Sequence, residues 1–140
     1  MIILCSSCSK PNRVSAARLH DKAKCASCKE PLLPVGSPVA LASAADFDEL
    51  VAGAPAPVLV DFWADWCGPC RAVAPELVKL AQQKQGAVII AKVDTEALPD
   101  VSARFSVRSI PTLILFRSGA ESERLTGAMP ASAIAQRLGL

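Results

Sequence analysis

All six cysteines of this 140-residue chain fall into Cys-x-x-Cys pairs: Cys5 with Cys8, Cys25 with Cys28, and Cys67 with Cys70. A thiol pair at this spacing does one of two kinds of chemistry. It cycles between dithiol and disulfide, or it supplies two thiolates to a metal site. The surroundings of each pair point to different answers. Cys67 follows an apolar run and precedes Gly68 and Pro69, so it is expected at a strand-to-helix junction. There the free backbone N–H groups and the helix dipole favour a thiolate, the form that attacks a disulfide sulfur. Cys70 lies one turn on, within reach of a mixed disulfide at Cys67. Neither residue between them is cationic, which argues for a reductant rather than a strong oxidant. Residues 71–140 hold no further cysteine or histidine to complete a metal site.

The outer pairs are separated by sixteen residues, Ser9 to Lys24. That falls in the span of about 15–20 residues found between zinc-binding Cys-x-x-Cys knuckles. Four thiolates from Cys5, Cys8, Cys25 and Cys28 would close a tetrahedral shell around one structural zinc ion. The sixteen residues contain Pro11, Asn12 and several charges, and little there is expected to form a core. A segment of that kind needs a metal staple to fold. His20 lies between the knuckles, but four cysteines already fill the shell, so it is read as an exposed side chain.

The elements that must position these groups follow from periodicity. Lys29 to Pro38 is rich in proline and glycine and reads as a linker, which divides the chain into a module at 1–36 and a domain at 37–140. Ser43, with Asp46 three residues on, caps a helix carrying Phe47, Leu50 and Val51. Val58 to Trp63 is a buried-type strand with one acid, Asp61, in it. Pro69 to Gln85 reads as a helix with Val73, Leu77, Leu80 and Ala81 inward, Pro75 as a bend and Gly86 as the stop. Val88–Val93 and Thr112–Phe116 are further strands, and a short helix is expected around Leu98 to Phe105. Arg117 to Gly119 is a turn, Glu123 to Thr126 an edge strand, and Pro130 opens a last helix through Leu138. The alternation implies an α/β fold, a mixed central sheet flanked by helices.

Composition narrows the class. Hydrophobic residues make up 51% and charged residues 20%, which suits a packed domain rather than a disordered chain. Residues 1–36 carry six Lys/Arg against two Asp/Glu, while 37–140 carry nine against eleven. The basic excess is small enough to be plain solvation, so nucleic acid is not an expected partner. The opening Met1-Ile2-Ile3-Leu4 has neither the basic flank nor the length of a secretion signal, and no run is long enough to span a membrane. A cytoplasmic location is expected, where paired thiols are more often catalytic or metal-bound than structural disulfides.

The segment VLVDFWADWCGPCRAVAP, residues 58–75, resembles the active-site segment of the thioredoxin family almost residue for residue. Ser109-Ile110-Pro111-Thr112 resembles that family's cis-proline loop, and Phe116 to Gly119 its following turn. The resemblance covers roughly residues 39–140 and implies the thioredoxin fold with the dithiol at the end of a strand. It implies a protein disulfide reductase, with disulfide-containing proteins as substrates, and a monomer is expected. An NADPH-dependent, flavin-containing thioredoxin reductase is the implied electron source, and no organic cofactor is implied for the chain itself. The two knuckles ahead of such a domain resemble the bacterial thioredoxin 2 type, and Asn12-Arg13 fits that group. Ser9 and Lys29 depart from it, since a glycine commonly follows each knuckle there and eases a left-handed turn.

The resemblance also implies roles. Cys67 is the nucleophile and Cys70 the resolving thiol. Asp61 is the buried acid that takes the Cys70 proton, with Lys92 tuning it; a structural ion pair between Asp61 and Lys92 is the plainer alternative. An acid in an apolar strand should have a raised pKa in either case. Trp66, Gly68, Pro69, Ile110, the cis Pro111 and Gly127 line the substrate surface, while Trp63 packs beneath the loop. Two rivals stand beside the reductase: an oxidase or isomerase on the same fold, and a binding module that docks partners through its zinc segment.

Overall fold

The computed structural model describes residues 1–19, 22–33 and 35–140. His20 and the proline at position 34 lie outside the described residues, so the reading of His20 as an exposed non-ligand finds no structural counterpart here.

A five-stranded sheet organises the chain. Its strands are β3 (Val39–Ala40), β4 (Val58–Trp63), β5 (Ile89–Asp94), β6 (Thr112–Arg117) and β7 (Ala120–Thr126), in the order β3-β5-β4-β6-β7. The first three run parallel, and β6 and β7 are antiparallel additions, so the sheet is mixed. Ser118 (φ 52°) and Gly119 (φ 83°) make the tight β6–β7 turn, the paired positive φ that two-residue hairpins demand. Helices α1 (Ala44–Gly53) and α3 (Pro99–Arg104) cover one face, and α2 (Gly68–Gln83) and α4 (Ala131–Leu138) the other. The Ser43 hydroxyl accepts the Asp46 N–H and starts α1 as its sequence predicts. Helix α2 continues through Pro75 and ends at Gln83, two residues short of the expected limit, with Gly86 at φ 84° in the turn beyond.

Alternation along β4 separates the two sides. Val58, Val60 and Phe62 pack toward α1 and α3, while Leu59 belongs with Val73, Leu77 and Leu80 of α2. Asp61 has the parity of Leu59, so it faces α2, and Lys92 opposite it on β5 faces the same way. The loop after β4 therefore delivers Cys67 to the head of α2, above the sheet face that carries Asp61.

The amino-terminal segment departs from expectation. It forms a two-stranded antiparallel ribbon, β1 (Ile2–Leu4) with β2 (Pro11–Arg13), followed by a 3₁₀ turn at Ala16–Arg18. Val14, Ala16 and Leu19 are buried, although little in this stretch reads as core. Nor is the Pro/Gly-rich stretch a free linker: Leu32 and Val35 are buried and join the same apolar cluster as Phe47 and Val39 of the larger domain. The Glu49 carboxylate of α1 accepts the Ala16 N–H at 3.0 Å, adding a polar tie. The linker reading fails because proline and glycine outnumber the two aliphatic anchors, yet prolines fix an extended path that a buried Leu and Val can hold in place.

Candidate functional site: a dithiol at a helix start and a cluster of four thiols

Cys67 is the residue that caps α2. Its Sγ accepts the Cys70 N–H at 3.2 Å, and Cys67 and Cys70 are disulfide-bonded. Both are buried, and Cys70 leads the inward stripe of α2 that continues through Val73 and Leu77. Pro69 occupies the first turn, where a missing N–H leaves nothing unsatisfied. A Cβ built on Gly68 would meet nothing within 4 Å, so the space in front of the loop is open.

The Ile110–Pro111 peptide is cis, and the Ile110 carbonyl oxygen lies 3.6 Å from Cys67 Sγ. The Pro111 carbonyl accepts the N–H of Gly127, whose φ of +90° suits a residue without Cβ. The structure thus brings Gly127 to the proline loop and the proline loop to the dithiol. Trp66, two-thirds exposed, stands beside Cys67, and its indole N–H donates to Glu96 at 2.8 Å. Glu96 escaped the sequence reading, because an exposed acid in a loop carries no signal of what it holds. Trp63 is half-buried, with Lys92 Nζ 4.8 Å from its ring centroid.

Asp61 is fully buried, and neither carboxylate oxygen has a hydrogen-bond partner among the described residues. Burial raises its pKa to about 7, and the Lys92 charge offsets only part of that. The expected alternative of an Asp61–Lys92 ion pair is not formed. The two residues are register partners on neighbouring strands, but the ammonium lies over Trp63 instead. A buried acid without a partner, poised near neutrality, is a group able to take and return a proton.

The second cluster is built differently. The Sγ atoms of Cys5, Cys8, Cys25 and Cys28 all lie within 4.8 Å of one another. The Cys5–Cys28 and Cys8–Cys25 separations are 3.6 Å, and all four are free thiols. Four sulfurs each about 2.3 Å from one zinc ion would stand about 3.8 Å apart, so the cluster fits a tetrahedral thiolate site. Each knuckle turns inward: the Ser7 N–H donates to Cys5 Sγ and the Ser27 N–H to Cys25 Sγ, both at 3.4 Å. The residue after each knuckle is left-handed, Ser9 at φ 63° and Lys29 at φ 67°. These are the two positions where glycine is the usual occupant in the resembling group. The backbone N–H groups of Cys8 and Ser7 lower the Cys5 pKa. The N–H groups of Cys28 and Ser27 hold Cys25 at about 6. Cys28 gains from the Glu30 N–H, but burial and the three neighbouring thiols push it up to about 12. Such crowding is what a divalent cation relieves. Asn12, which the sequence places in a stretch not expected to form a core, is buried and bridges the two knuckles.

Among the described residues no helix is long and apolar enough to cross a membrane.

The comparisons with known proteins follow this division. The thioredoxin family model matches residues 38–139, and the model for the thioredoxin 2 N-terminal region, a zinc ribbon, matches residues 4–30. Thioredoxin C-3 of Corynebacterium nephridii is 43% identical over 129 residues, 92% of this chain and 87% of that protein. Thioredoxin 1 of a Nostoc species is 45% identical over 92 residues, 66% of this chain and 86% of that protein. In structure, a thioredoxin from Halobacterium salinarum superimposes with a TM-score of 0.67 at 30% identity, over 73% of this chain and 88% of that one. The chain belongs to the thioredoxin family, as a thiol–disulfide oxidoreductase whose redox domain follows a zinc-ribbon module.

Proposed function

We propose that the chain reduces protein disulfides through Cys67 as nucleophile and Cys70 as resolving thiol. The observation that carries this assignment is the placement of Cys67 Sγ at the start of α2, accepting the Cys70 N–H, in front of the Ile110–Pro111 peptide. In the reduced protein that N–H and the helix dipole favour a thiolate on Cys67 over one on Cys70. The Cys67 thiolate attacks one sulfur of a substrate disulfide; an S–S bond forms, the substrate S–S bond breaks, and the first substrate thiolate leaves. Asp61 accepts the Cys70 proton. The Cys70 thiolate then attacks Cys67 Sγ and expels the second substrate thiolate. Two electrons pass from the dithiol to the substrate, and Cys67 and Cys70 end as the disulfide. An NADPH-dependent reductase returns the two electrons.

Trp66, Gly68, Pro69, Ile110, Pro111 and Gly127 form the surface on which a substrate segment docks. Their support is position: Trp66 is exposed beside the dithiol, Gly68 opens onto free space, and the proline loop and Gly127 adjoin Cys67. Lys92 tunes Asp61 through space.

The four outer cysteines hold one zinc ion with a structural role. Their shell is complete, which leaves no position for water or substrate. Residues 1–36 form this module and 37–140 the redox domain, working as one chain in the cytoplasm.

The test is trapping. Cys70→Ser should accumulate covalent mixed disulfides with substrate proteins, since the first attack proceeds and release does not. Cys67→Ser should trap nothing and should not reduce insulin. Trapping by Cys67→Ser alone would reverse the assignment.

A further inference from the structure

Among the described residues Asn12 is the one buried polar side chain outside the five-stranded sheet, and it lies between the two knuckles rather than in either. Its Oδ1 accepts the Ala26 N–H at 3.0 Å, inside the second knuckle. Its Nδ2 donates to the Lys10 carbonyl at 3.0 Å, just past the first knuckle, and also to Cys25 Sγ at 3.6 Å. The amide cannot be reversed. A backbone N–H requires an oxygen opposite it and a backbone carbonyl requires an N–H, so the NH₂ group must face the sulfur.

The four sulfurs are served unequally. Both Cys5 and Cys25 receive backbone N–H groups of their own knuckle, Ser7 and Cys8 for the first and Ser27 and Cys28 for the second, but Cys25 receives the Asn12 amide in addition. Cys8 and Cys28, the half-exposed pair, lie against the other sulfurs, and Cys28 also meets the Glu30 N–H; among the described residues neither receives a side-chain amide. An N–H donor on a thiolate withdraws charge from sulfur and fixes its direction, as the hydrogen-bond partners of metal ligands do in general.

From this placement we infer that Asn12 is the positioning residue of the metal site: its amide carbonyl joins the knuckles, and its NH₂ group orients and shields the Cys25 thiolate. The inference rests on the reading of the cluster as a metal centre. Two consequences separate. Loss of the carbonyl frees the second knuckle from the first. Loss of the NH₂ group leaves the knuckles joined but exposes the Cys25 sulfur's lone pair.

Asn12→Ala removes both functions. Asn12→Asp is nearly isosteric and keeps an oxygen for the Ala26 N–H, but puts a carboxylate where the donor to sulfur stood. The experiment uses the full chain loaded with zinc, and transfer of the metal to a chromogenic chelator is followed in time. Both variants should release zinc faster than the parent by about 10- to 100-fold, in step with the affinity that is lost when a hydrogen-bond partner of a metal ligand is removed. The cobalt-substituted proteins supply a readout that looser folding alone would not produce. At full occupancy, loss of the donor raises the energy of the sulfur lone pair, so the sulfur-to-cobalt charge-transfer band should move to longer wavelength in both variants. The near-ultraviolet signal of Trp63 and Trp66 reports on the remaining fold. An Asn12→Asp protein with parental release rate and an unmoved band would overturn the inference. A parent protein that shows no thiolate charge transfer with cobalt would instead overturn the metal reading beneath it.

Discussion

The dithiol and the knuckles share the spacing Cys-x-x-Cys and little else. In the dithiol the second cysteine continues into a helix, its N–H turned back onto Cys67 Sγ. In each knuckle the chain reverses after the second cysteine through a left-handed residue, Ser9 or Lys29. The first geometry leaves one sulfur at a positive helix end with an acid beneath the helix. The second turns two sulfurs toward two others. Spacing alone therefore selects neither chemistry. What decides is the residue before the second cysteine and the path after it: Pro69 commits the chain to α2, and the reversals at Ser9 and Lys29 commit it to a ligand pair.

This contrast is broken most severely by exchanging cysteines one at a time. Cys67→Ser should bring disulfide reduction to background while the metal content stays at that of the parent. Cys5→Ser or Cys25→Ser should lose metal while reduction continues. Metal analysis paired with an insulin-reduction assay reads both. A knuckle variant without activity and with a folded redox domain would show that the two centres act together.

Removal of residues 1–36 sharpens the comparison further. The dithiol, Asp61 and the proline loop all lie beyond residue 36, and the Nostoc relative has 86% of its length taken up by the match to 92 residues, leaving no room for such a module. Reductase activity per folded molecule should persist. Stability should not. Ile3, Val14, Leu19, Leu32 and Val35 are buried in one cluster with Phe47 and Val39, and each such side chain contributes roughly 1.5–3 kcal/mol when fully covered. Since part of that burial is internal to the module, the loss to the domain should be on the order of 5 kcal/mol. Denaturant titration of the two proteins measures it. Equal midpoints would mean that the shared cluster contributes nothing.

The parts of the molecule legible in the sequence are those where one residue pattern serves one element. β4 and α2 show it: a strand apolar but for Asp61, then a cysteine, a Gly-Pro and a helical stripe from Val73 to Ala81. The metal cluster was legible because four identical residues at fixed spacing admit few arrangements. The ribbon was not. β1 and β2 have three residues each and β3 has two, too few to show a period, and their burial comes from the apolar cluster they share with the larger domain rather than from their own pattern. Asn12 and Glu96 were hidden for another reason. Their partners, a sulfur thirteen residues away and an indole thirty residues away, are set by tertiary structure. The sequence left an Asp61–Lys92 ion pair open as an alternative because facing positions on adjacent strands do not fix where a long side chain ends; the Lys92 ammonium lies over the Trp63 ring.

Asp61 gives a prediction with a definite sign. Its folded pKa of about 7 lies above the ordinary carboxylate value. The folded state therefore binds the proton more tightly than the unfolded chain. The stabilisation is present below about pH 4 and is lost as pH rises toward 7, by roughly 4 kcal/mol in all. Asp61→Asn carries no such penalty. It should match the parent near pH 4 and exceed it by roughly 4 kcal/mol above pH 8, in unfolding titrations at the two pH values. The amide cannot accept a proton from Cys70, so turnover should fall by about 10-fold or more and lose its inflection near pH 7. Added stability with an unchanged pH–rate profile would separate burial from proton transfer and leave Asp61 without a part in the reaction.

The smallest effect lies at the reversals that distinguish knuckle from dithiol. Ser9 and Lys29 hold positive φ with a Cβ in place, a conformation that costs an L-residue about 1–2 kcal/mol. Glycine removes that cost but gains freedom in the unfolded chain worth about 0.5–1 kcal/mol. The net benefit of Ser9→Gly should be about 0.5–1 kcal/mol, seen as a two- to fivefold rise in zinc affinity by chelator competition. Lys29→Gly should gain less, because the Lys29 ammonium donates to the Ala26 carbonyl at 3.0 Å and that exposed bond is lost. Ser9→Val supplies the opposite arm, since a β-branched residue tolerates positive φ poorly and should weaken zinc binding. The same glycine scan applied at Pro69 has no counterpart gain, because there the chain enters a helix and the proline already holds the φ that the first turn needs. Tighter zinc in Ser9→Gly and weaker zinc in Ser9→Val would tie the metal site to its reversals. A glycine variant that binds zinc more weakly would show that the left-handed turns are not what sets its affinity.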